Sequence, residues 1–224
     1  MTVGVIVAMG KELALLLDIL EAPAKTEAKG YEFHVGELGG HKVVAMQCGI
    51  GKVNSAIGAT AMIEAFAPDC VINSGVAGGT GAAGILDLVL ASRIAYHDVW
   101  CGPGTEWGEA AGCPRFFPGP EGCEELAASL GAKAGLIASG DIFVSREQDV
   151  ERILALYPEA IAVDMESAAI AQACWLKGVP MMCLRVVSDT PGQADNISQY
   201  ANFWDDAPRH TFSAVKRLIM QLGK

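Results

Sequence analysis

Short apolar runs alternate with segments of helical spacing along this chain, and that alternation limits the folds it can adopt. Residues 3–9 form the first apolar run, and residues 11–20 follow with leucines placed on one helical stripe. A repeated strand–helix order of this kind is typical of a largely parallel sheet that helices cover on both faces. Gly39 and Gly40 separate two further runs and predict an antiparallel hairpin near the start.

The same pattern predicts the remaining elements. Strands are predicted at residues 3–9, 31–38, 41–48, 70–73, 86–95, 134–138, 160–163 and 181–187. Helices are predicted at residues 11–20, 52–66, 121–130, 148–157, 167–176 and 203–222. The expected fold class is α/β, a single domain over residues 1–224 with three α/β/α layers and a mixed, mainly parallel central sheet.

Composition and charge exclude several classes of partner. The formal net charge of −10 disfavours contact with the phosphate backbone of nucleic acid. No uncharged apolar stretch reaches the roughly 20 residues that span a bilayer, and the run at residues 3–9 lacks the features of a signal peptide. The seven cysteines form no CxxC pair and are odd in number, which indicates a reducing compartment. We therefore expect a cytoplasmic protein with neither a membrane nor a nucleic-acid partner.

Polar and charged residues follow several predicted strands. In parallel sheets, ligands bind beyond the carboxyl ends of the strands, so residues that follow different strands meet at one edge if those strands are parallel. Here that edge would combine several carboxylates, one arginine, an aromatic ring and the glycine-rich segment 74–79, a set that suits an uncharged or zwitterionic ligand with a flat ring. The side chains concerned are Glu12, Phe143, Asp164, Met165, Glu166, Arg185, Ser188 and Asp189.

Each of these residues also has a purely structural explanation. Glu12 and Glu166 favour helix N-termini through the helix dipole, and Asp189 precedes a Thr-Pro pair and suits a turn. Arg185 lies inside an apolar strand, where a buried guanidinium needs a carboxylate partner. Glu12 and Asp164 are both candidates for that partner, and a structural ion pair is as compatible with the sequence as a functional one.

Three motifs point elsewhere and are weaker. Residues 79–84 match GxGxxG, but the nicotinamide-dependent reading needs a helix directly afterwards, and a strand is predicted there. Gly51-Lys52 lacks the remaining P-loop residues. A metal site has only one small group of candidate ligands without a second closely spaced pair, namely His97, Asp98 and Cys101. We expect no metal and no cofactor.

Six motifs in fixed order carry a resemblance that covers nearly the whole chain. They are VGVIVAMGKE at 3–12, CGIGKVNSA at 48–56, INSGVAGG at 72–79, ASGDIF at 138–143, AIAVDMESAAIA at 160–171 and RVVSD at 185–189. Through them the chain resembles the 5′-methylthioadenosine/S-adenosylhomocysteine nucleosidases of the nucleoside phosphorylase superfamily. The resemblance implies a homodimeric enzyme that hydrolyses the N-glycosidic bond of either nucleoside and releases adenine and the 5-thio-substituted ribose.

The resemblance also implies catalytic roles. Asp189 would donate or share a proton with N7 of adenine, Glu12 would activate the attacking water, and Arg185 would help to hold that water and its base. The chemistry agrees, because breaking the C1′–N9 bond places positive charge on the ribose and negative charge on the purine. A positioned acid neutralises the base, while a carboxylate near the sugar stabilises the cation.

Further positions would contact the substrate. Glu166 would bind the ribose hydroxyls, Met165 would pack against the sugar, and Phe143 would stack on adenine. The backbone of Val144 would read the purine edge. The remaining expected contacts are Met9 and Ile50 around the ribose and 5′ substituent, Ser188 beside the acid, and Val76 and Asp164 near the water.

The sequence departs from the family pattern at Val76, where serine is frequent, and at Asp164, where glutamate is common. These differences put rate and substrate range in question more than reaction type. Residues 99–120 also differ from the family, where this region of a partner subunit closes the 5′ pocket. Trp107 is the candidate for that part, and Tyr200 and Phe203 are candidates to cover the pocket from within the chain.

Two other activities remain open. A purine nucleoside phosphorylase of the same superfamily needs cationic groups for phosphate, yet no arginine precedes Arg93 and Glu12 would repel the anion. A nucleoside-binding module without catalysis has no use for an acid and a water-activating base. The preferred 5′ group stays open, because 5′-deoxyadenosine and aminofutalosine share the adenosine portion.

Overall fold

One mixed sheet contains all ten strands of the computed structural model, which describes residues 1–206 and 208–223, and the backbone alone at 205, 206 and 208–211. The strands are β1 Thr2–Val7, β2 Glu21–Ala28, β3 Tyr31–Leu38, β4 His41–Gln47, β5 Cys70–Gly79, β6 Leu88–Tyr96, β7 Phe117–Pro118, β8 Ala132–Ser139, β9 Ala160–Asp164 and β10 Met181–Asp189. The helices are α1 Gly10–Leu17, α2 Lys52–Phe66, α3 Cys123–Leu130, α4 Glu147–Leu156, α5 Ser167–Lys177, α6 Asn196–Asp206 and α7 Pro208–Ile219.

Strand β5 organises the sheet because it pairs with three other strands. Its first residues pair in parallel with β1, its last two, Gly78 and Gly79, pair antiparallel with β9, and β10 runs parallel along its other edge. Strands β6 and β8 continue from β10 to β9, so β5, β10, β6, β8 and β9 close into a ring. The strands β1, β4, β3 and β2 extend the sheet outward from this ring.

Helices cover both faces of the sheet at β1, as the alternation of side chains along this strand shows. Val3, Val5 and Val7 pack on one face with buried residues of α1, α3 and α7. Ile6 points to the other face, where Met62 of α2 and Ile170 of α5 join the same cluster. Successive strand residues face opposite sides, so a fully apolar strand has to be covered twice. The predicted α/β class with layered helices is confirmed.

Local sequence accounts for most element boundaries. The hairpin of Tyr31–Leu38 and His41–Gln47 is confirmed, with Gly39 and Gly40 at φ +58° and +81° in its turn. The helix at Lys52–Phe66 is also confirmed. The single helix predicted at 203–222 is wrong, because α6 begins earlier and ends at Asp206 before Pro208 starts α7.

Three strands differ from the predictions, and the shortest of them, β7, lies in a segment for which no strand was predicted. Strand β2 is absent from the predictions because its sequence, EAPAKTEA, is polar and exposed and lacks apolar alternation. Strand β5 is longer than predicted, because the glycine-rich segment 74–79 continues the strand instead of forming a loop. Among the described residues, no helix is long and apolar enough to cross a membrane.

Candidate active site

A pocket opens where the carboxyl ends of β1, β5, β9 and β10 come together. Every predicted site residue except Trp107 and Phe203 lines it: Met9, Glu12, Ile50, Val76, Phe143, Val144, Asp164, Met165, Glu166, Arg185, Ser188, Asp189 and Tyr200. The expected parallel edge is only partly right, since β9 is antiparallel to β5. The two strands overlap only at their last residues, so their carboxyl ends still meet and bring Asp164 and Glu166 to the same pocket.

The guanidinium of Arg185 is fixed by a buried network. Its side chain is 1% exposed, Nε donates to Asp164 Oδ2 at 2.9 Å, and Nη2 donates to Asn73 Oδ1 at 2.6 Å. The second oxygen of Asp164 accepts from the backbone N–H and the hydroxyl of Ser167 at the start of α5. Of the two partners that the sequence leaves open, Asp164 is therefore the hydrogen-bonded one. Asn73 was not predicted as a site residue, because it looks like an ordinary polar residue at the end of the predicted strand 70–73.

Glu12 lies in the first turn of α1 and is buried. Its Oε2 accepts from the backbone N–H groups of Ala8 and Met9 at 3.0 and 2.9 Å. Burial raises the pKa of Glu12, while the Arg185 guanidinium and these backbone donors oppose the shift. The other carboxylate oxygen, Oε1, is directed toward Gly75.

Gly75 marks the place where Glu12 and Arg185 converge. A Cβ at this position would lie 2.8 Å from Glu12 Oε1 and 2.8 Å from Arg185 Nη1. The absence of a side chain lets the two charged groups approach each other above β5. Any other residue would displace at least one of them, so glycine here is required by close approach.

Glu166 follows β9 and accepts a hydrogen bond from the backbone N–H of Gly51 at 3.0 Å. Its Oε2 lies 3.9 Å from Arg185 Nη2. Burial, together with the negative charge of Asp164, raises the pKa of Glu166 to about 7, although Arg185 acts in the opposite direction. This carboxyl therefore changes charge near neutral pH.

Asp189 ends β10 and is held by two side-chain donors. Ser188 Oγ donates to Oδ1 at 2.6 Å, and Asn196 Nδ2 donates to Oδ2. Burial raises the pKa of Asp189, and the hydrogen bonds from Ser188 and Asn196 lower it. Asn196 was not predicted as a site residue, and its only signal in the sequence is a polar side chain seven positions after Asp189, at the start of a helix.

Aromatic side chains form the outer wall of the pocket. Phe143 is 44% exposed, and its ring lies edge-on to Tyr200 with centroids 5.5 Å apart. The Tyr200 hydroxyl donates to the sulfur of Met9 at 3.5 Å. Phe203 does not cover the pocket, contrary to expectation, because its side chain points from α6 into the interior and is buried against Val186.

The comparisons with known proteins agree on one family. A family model described as the phosphorylase superfamily matches residues 2–220. A 5′-methylthioadenosine/S-adenosylhomocysteine nucleosidase from Chromohalobacter salexigens is 37% identical, over 99% of this chain and 97% of the relative. The chain belongs to this nucleosidase family of the phosphorylase superfamily.

Solved nucleosidase structures show the same fold. The enzyme from Colwellia psychrerythraea, in complex with adenine, has a TM-score of 0.93 and 35% identity, covering 99% of this chain and 96% of that chain. The enzyme from Neisseria meningitidis, in complex with methylthio-immucillin-A, has a TM-score of 0.92 and 35% identity, covering 99% of each. A futalosine hydrolase mutant from Helicobacter pylori has a TM-score of 0.90 and 27% identity over 99% of each.

Val76 stands where serine is frequent in this nucleosidase family, but its backbone still supplies a hydrogen-bond donor to Glu12. The N–H of Val76 faces Glu12 and is among the groups that lower the pKa of that carboxyl. Replacing a serine side chain here removes a hydroxyl but leaves the main-chain donor in place. Asp164, the second departure, is long enough to reach Arg185.

Trp107 does not line the pocket of its own chain. Its ring is 45% exposed and stacks on Trp100, with centroids 6.1 Å apart and planes at 11°. The indole N–H donates to the carbonyl of His97 at 3.1 Å, which fixes the ring at the surface. That Trp107 closes the pocket of a partner nucleosidase subunit stays a prediction.

The weaker motifs do not form sites in the described part of the chain. Residues 79–84 lead into β6 and not into a helix, so the dinucleotide reading fails. Asp98 is paired with Lys52 at 2.9 Å. No cluster of three or more His, Cys, Asp or Glu side chains suited to a metal ion occurs among the described residues.

Proposed function

We propose that this protein hydrolyses the N-glycosidic bond of 5′-methylthioadenosine and S-adenosylhomocysteine and releases adenine and the 5-thio-substituted ribose. The observation that carries the proposal is the presence of Glu12, Arg185 and Asp189 in one pocket, each held by buried hydrogen bonds. The nucleosidase relatives and the complexes with adenine and methylthio-immucillin-A support it.

Asp189 acts as the general acid. The leaving purine gains negative charge as the C1′–N9 bond breaks, and a proton at N7 turns it into neutral adenine. An aspartate at its ordinary pKa carries almost no proton at neutral pH. Burial raises the pKa of Asp189 and so favours the protonated form that the step requires.

Glu12 acts as the base for water. Two backbone donors occupy Oε2, and Oε1 is left directed toward Gly75 and Arg185. A water bound between Oε1 and the guanidinium loses its proton to Glu12 while its oxygen attacks C1′. Because Asp164 and Asn73 fix Arg185, the guanidinium keeps one orientation and can hold this water in position during the reaction.

Glu166 and the aromatic wall place the nucleoside. A carboxylate accepts hydrogen bonds from the 2′ and 3′ hydroxyls, and Gly51 holds Glu166 in position for that task. Phe143, which is half-exposed at the pocket wall, offers its ring face to adenine, and Met165 packs beside the sugar. Met9 and Ile50 line the part assigned to the 5′ substituent.

The charges of the pocket favour water over phosphate. Among its described lining residues the only cationic side chain is Arg185, and Asp164 already pairs with it. Glu12, Glu166 and Asp189 contribute three further carboxyls. A phosphate dianion would meet more repulsion than attraction, so phosphorolysis is disfavoured.

The experiment is adenine release from purified protein in phosphate-free buffer. We expect release from both nucleosides, and release that appears only after phosphate is added would overturn the hydrolase assignment. A second candidate, preference for aminofutalosine or 5′-deoxyadenosine, is favoured by the similarity to the Helicobacter pylori futalosine hydrolase mutant. Comparing kcat/KM across the four nucleosides decides between these preferences.

We further infer a homodimer. Large apolar side chains are exposed around the start of α2 and in the surface loop that follows β6: Ile50, Val53, Ile57, Trp100 and Trp107. The ion pair of Lys52 with Asp98 ties the two segments together. Exposed apolar surface of this kind suits contact with a second copy. Light scattering gives the mass directly, and a monomer at micromolar concentration would contradict the inference.

A further inference from the structure

Asn196 has a position that the catalytic roles above do not explain. It is the first residue of α6, only 1% exposed, and its Nδ2 donates to Oδ2 of Asp189. The other atom of the same amide, Oδ1, is buried and has no hydrogen-bond partner within the described part of the chain. A buried amide oxygen without a hydrogen bond destabilises the folded protein, so we expect Oδ1 to accept a hydrogen bond at some step of the reaction.

The chemistry of Asp189 supplies such a use. As a carboxylate, Asp189 only accepts hydrogen bonds, whereas as a carboxylic acid it also donates one. An acid that gives its proton to N7 passes between these two forms in each turnover. A side-chain amide can hydrogen-bond to both forms of Asp189, because a half-turn about Cβ–Cγ exchanges the positions of its N–H donor and its oxygen acceptor.

We propose that Asn196 is a positioning residue that holds the Asp189 carboxyl in both of its protonation states. While Asp189 is protonated and no nucleoside is bound, Asn196 Oδ1 accepts its O–H, and this O–H turns to N7 once the nucleoside is in place. When that proton moves to N7 and the C1′–N9 electron pair passes to the purine, the turned amide donates from Nδ2 to the carboxylate. This inference rests on the proposed function, since it assigns the acid role to Asp189.

The surroundings leave Asn196 as the main adjustable partner. Ser188 contacts the opposite oxygen, and Gly78, which pairs with Asp189 on β5, brings no side chain. The nearest titratable group on α6 is Tyr200, whose pKa is raised by burial and by the carboxylates Glu12, Asp189 and Glu166. Tyr200 is therefore a neutral phenol at the pH of the reaction.

The test uses two substitutions at Asn196 and one control on the same helix. Asn196→Leu removes both polar atoms at similar volume, and Asn196→Asp keeps the shape but adds a carboxyl. Asn202→Asp adds the same charge at an exposed position of α6. Adenine release is measured from pH 5 to 10, and circular dichroism verifies that each variant is folded.

On balance the amide lowers the pKa of Asp189, because the hydrogen bond that it donates to the carboxylate is charge-assisted and stronger than the one that it accepts from the neutral acid. Its loss therefore raises the pKa of Asp189, as does a second carboxyl beside it. A general acid loses activity as pH rises through its pKa, so the alkaline limb of the kcat profile moves to higher pH in both variants. We expect kcat at neutral pH to fall about tenfold to hundredfold with little change in KM, and Asn202→Asp to follow the unsubstituted protein. A uniform loss at every pH, with the limb unmoved, would overturn the proposal.

A measurement without turnover separates this inference from the proposed function. Carbon-13 titration of the Asp189 carboxyl in the unliganded protein, assigned with Asp189→Asn, reports its pKa directly. We expect a higher value in both Asn196 variants and an unchanged value in Asn202→Asp. An unchanged Asp189 titration in the Asn196 variants refutes the positioning role, whereas absence of adenine release from the unsubstituted protein refutes the proposed function alone.

Discussion

Asp164 holds Arg185 across strand β5, through a hydrogen bond of 2.9 Å between Oδ2 and Nε. The two residues come from β9 and β10, which flank β5 on opposite edges. The pair thus ties the two sides of the strand ring together directly beneath the pocket. It also fixes the guanidinium that faces Glu12.

Removing the charge of Asp164 tests how much this ion pair contributes to stability. Asp164→Asn leaves a buried guanidinium without its hydrogen-bonded counter-charge, and we expect a loss of about 3 kcal/mol in the free energy of unfolding. Urea denaturation measures it. Glu159→Gln is the matched control, because its partner Arg93 is half-exposed and such a pair contributes at most about 1 kcal/mol. Equal losses in both variants would show that Asp164 is not the essential partner.

Asp189→Asn tests the acid directly. The amide cannot donate the proton that N7 needs, so kcat should fall about 10²- to 10⁴-fold. Adenine should still bind, because the aromatic wall and the ribose contacts are untouched; calorimetric titration with adenine checks this. Turnover that survives the substitution would remove Asp189 from the acid role.

Gly75→Ala tests the convergence of Glu12 and Arg185. The added methyl would press on both charged groups and displace the water site, and we expect kcat to fall by about two orders of magnitude. Gly84→Ala is a fitting control, because its Cβ would meet nothing closer than Asp87 Oδ2 at 3.8 Å. If both alanine variants retain full activity, catalysis does not depend on the close approach of Glu12 and Arg185 at Gly75.

Glu166 links stability to pH. Its folded pKa of about 7 lies above the ordinary 4.5, so its protonated form is favoured by folding. Relative to Glu166→Gln, the unsubstituted protein should lose stability as pH rises from about 4.5 to about 7, by on the order of 3 kcal/mol, and lose no more above that range. Denaturation at a series of pH values gives the difference, and parallel curves for the two proteins would contradict the shifted pKa.

Sequence alone could predict the elements whose patterns are local. The helix Lys52–Phe66 and the hairpin around Gly39-Gly40 depend on nearby residues, and both were predicted correctly. Strand β2 could not be predicted, because it is polar and owes its conformation to pairing with β3. The extension of β5 through its glycines likewise depends on its partners, β9 and β10.

The candidate site divides in the same way. Residues such as Glu12 and Asp189 come shortly after predicted strands, and ligands bind at strand ends, so their place in the pocket could be predicted. The choice of Asp164 as the partner of Arg185 depends on the order of strands around β5. The contact of Asn196 with Asp189 depends on the path of the intervening turn, which no local pattern specifies.

Strand β2 lies at the outer end of the sheet, paired with β3 and nearly fully exposed. An unpaired strand edge can recruit another molecule by backbone hydrogen bonding. Pro23 removes one amide donor from this edge, and the register shifts between Glu21 and Ala24 around it. The charged side chains of Lys25 and Glu27 further discourage a docking strand. The polar strand β2, which the sequence pattern does not predict, thereby protects the sheet against intermolecular strand pairing and aggregation.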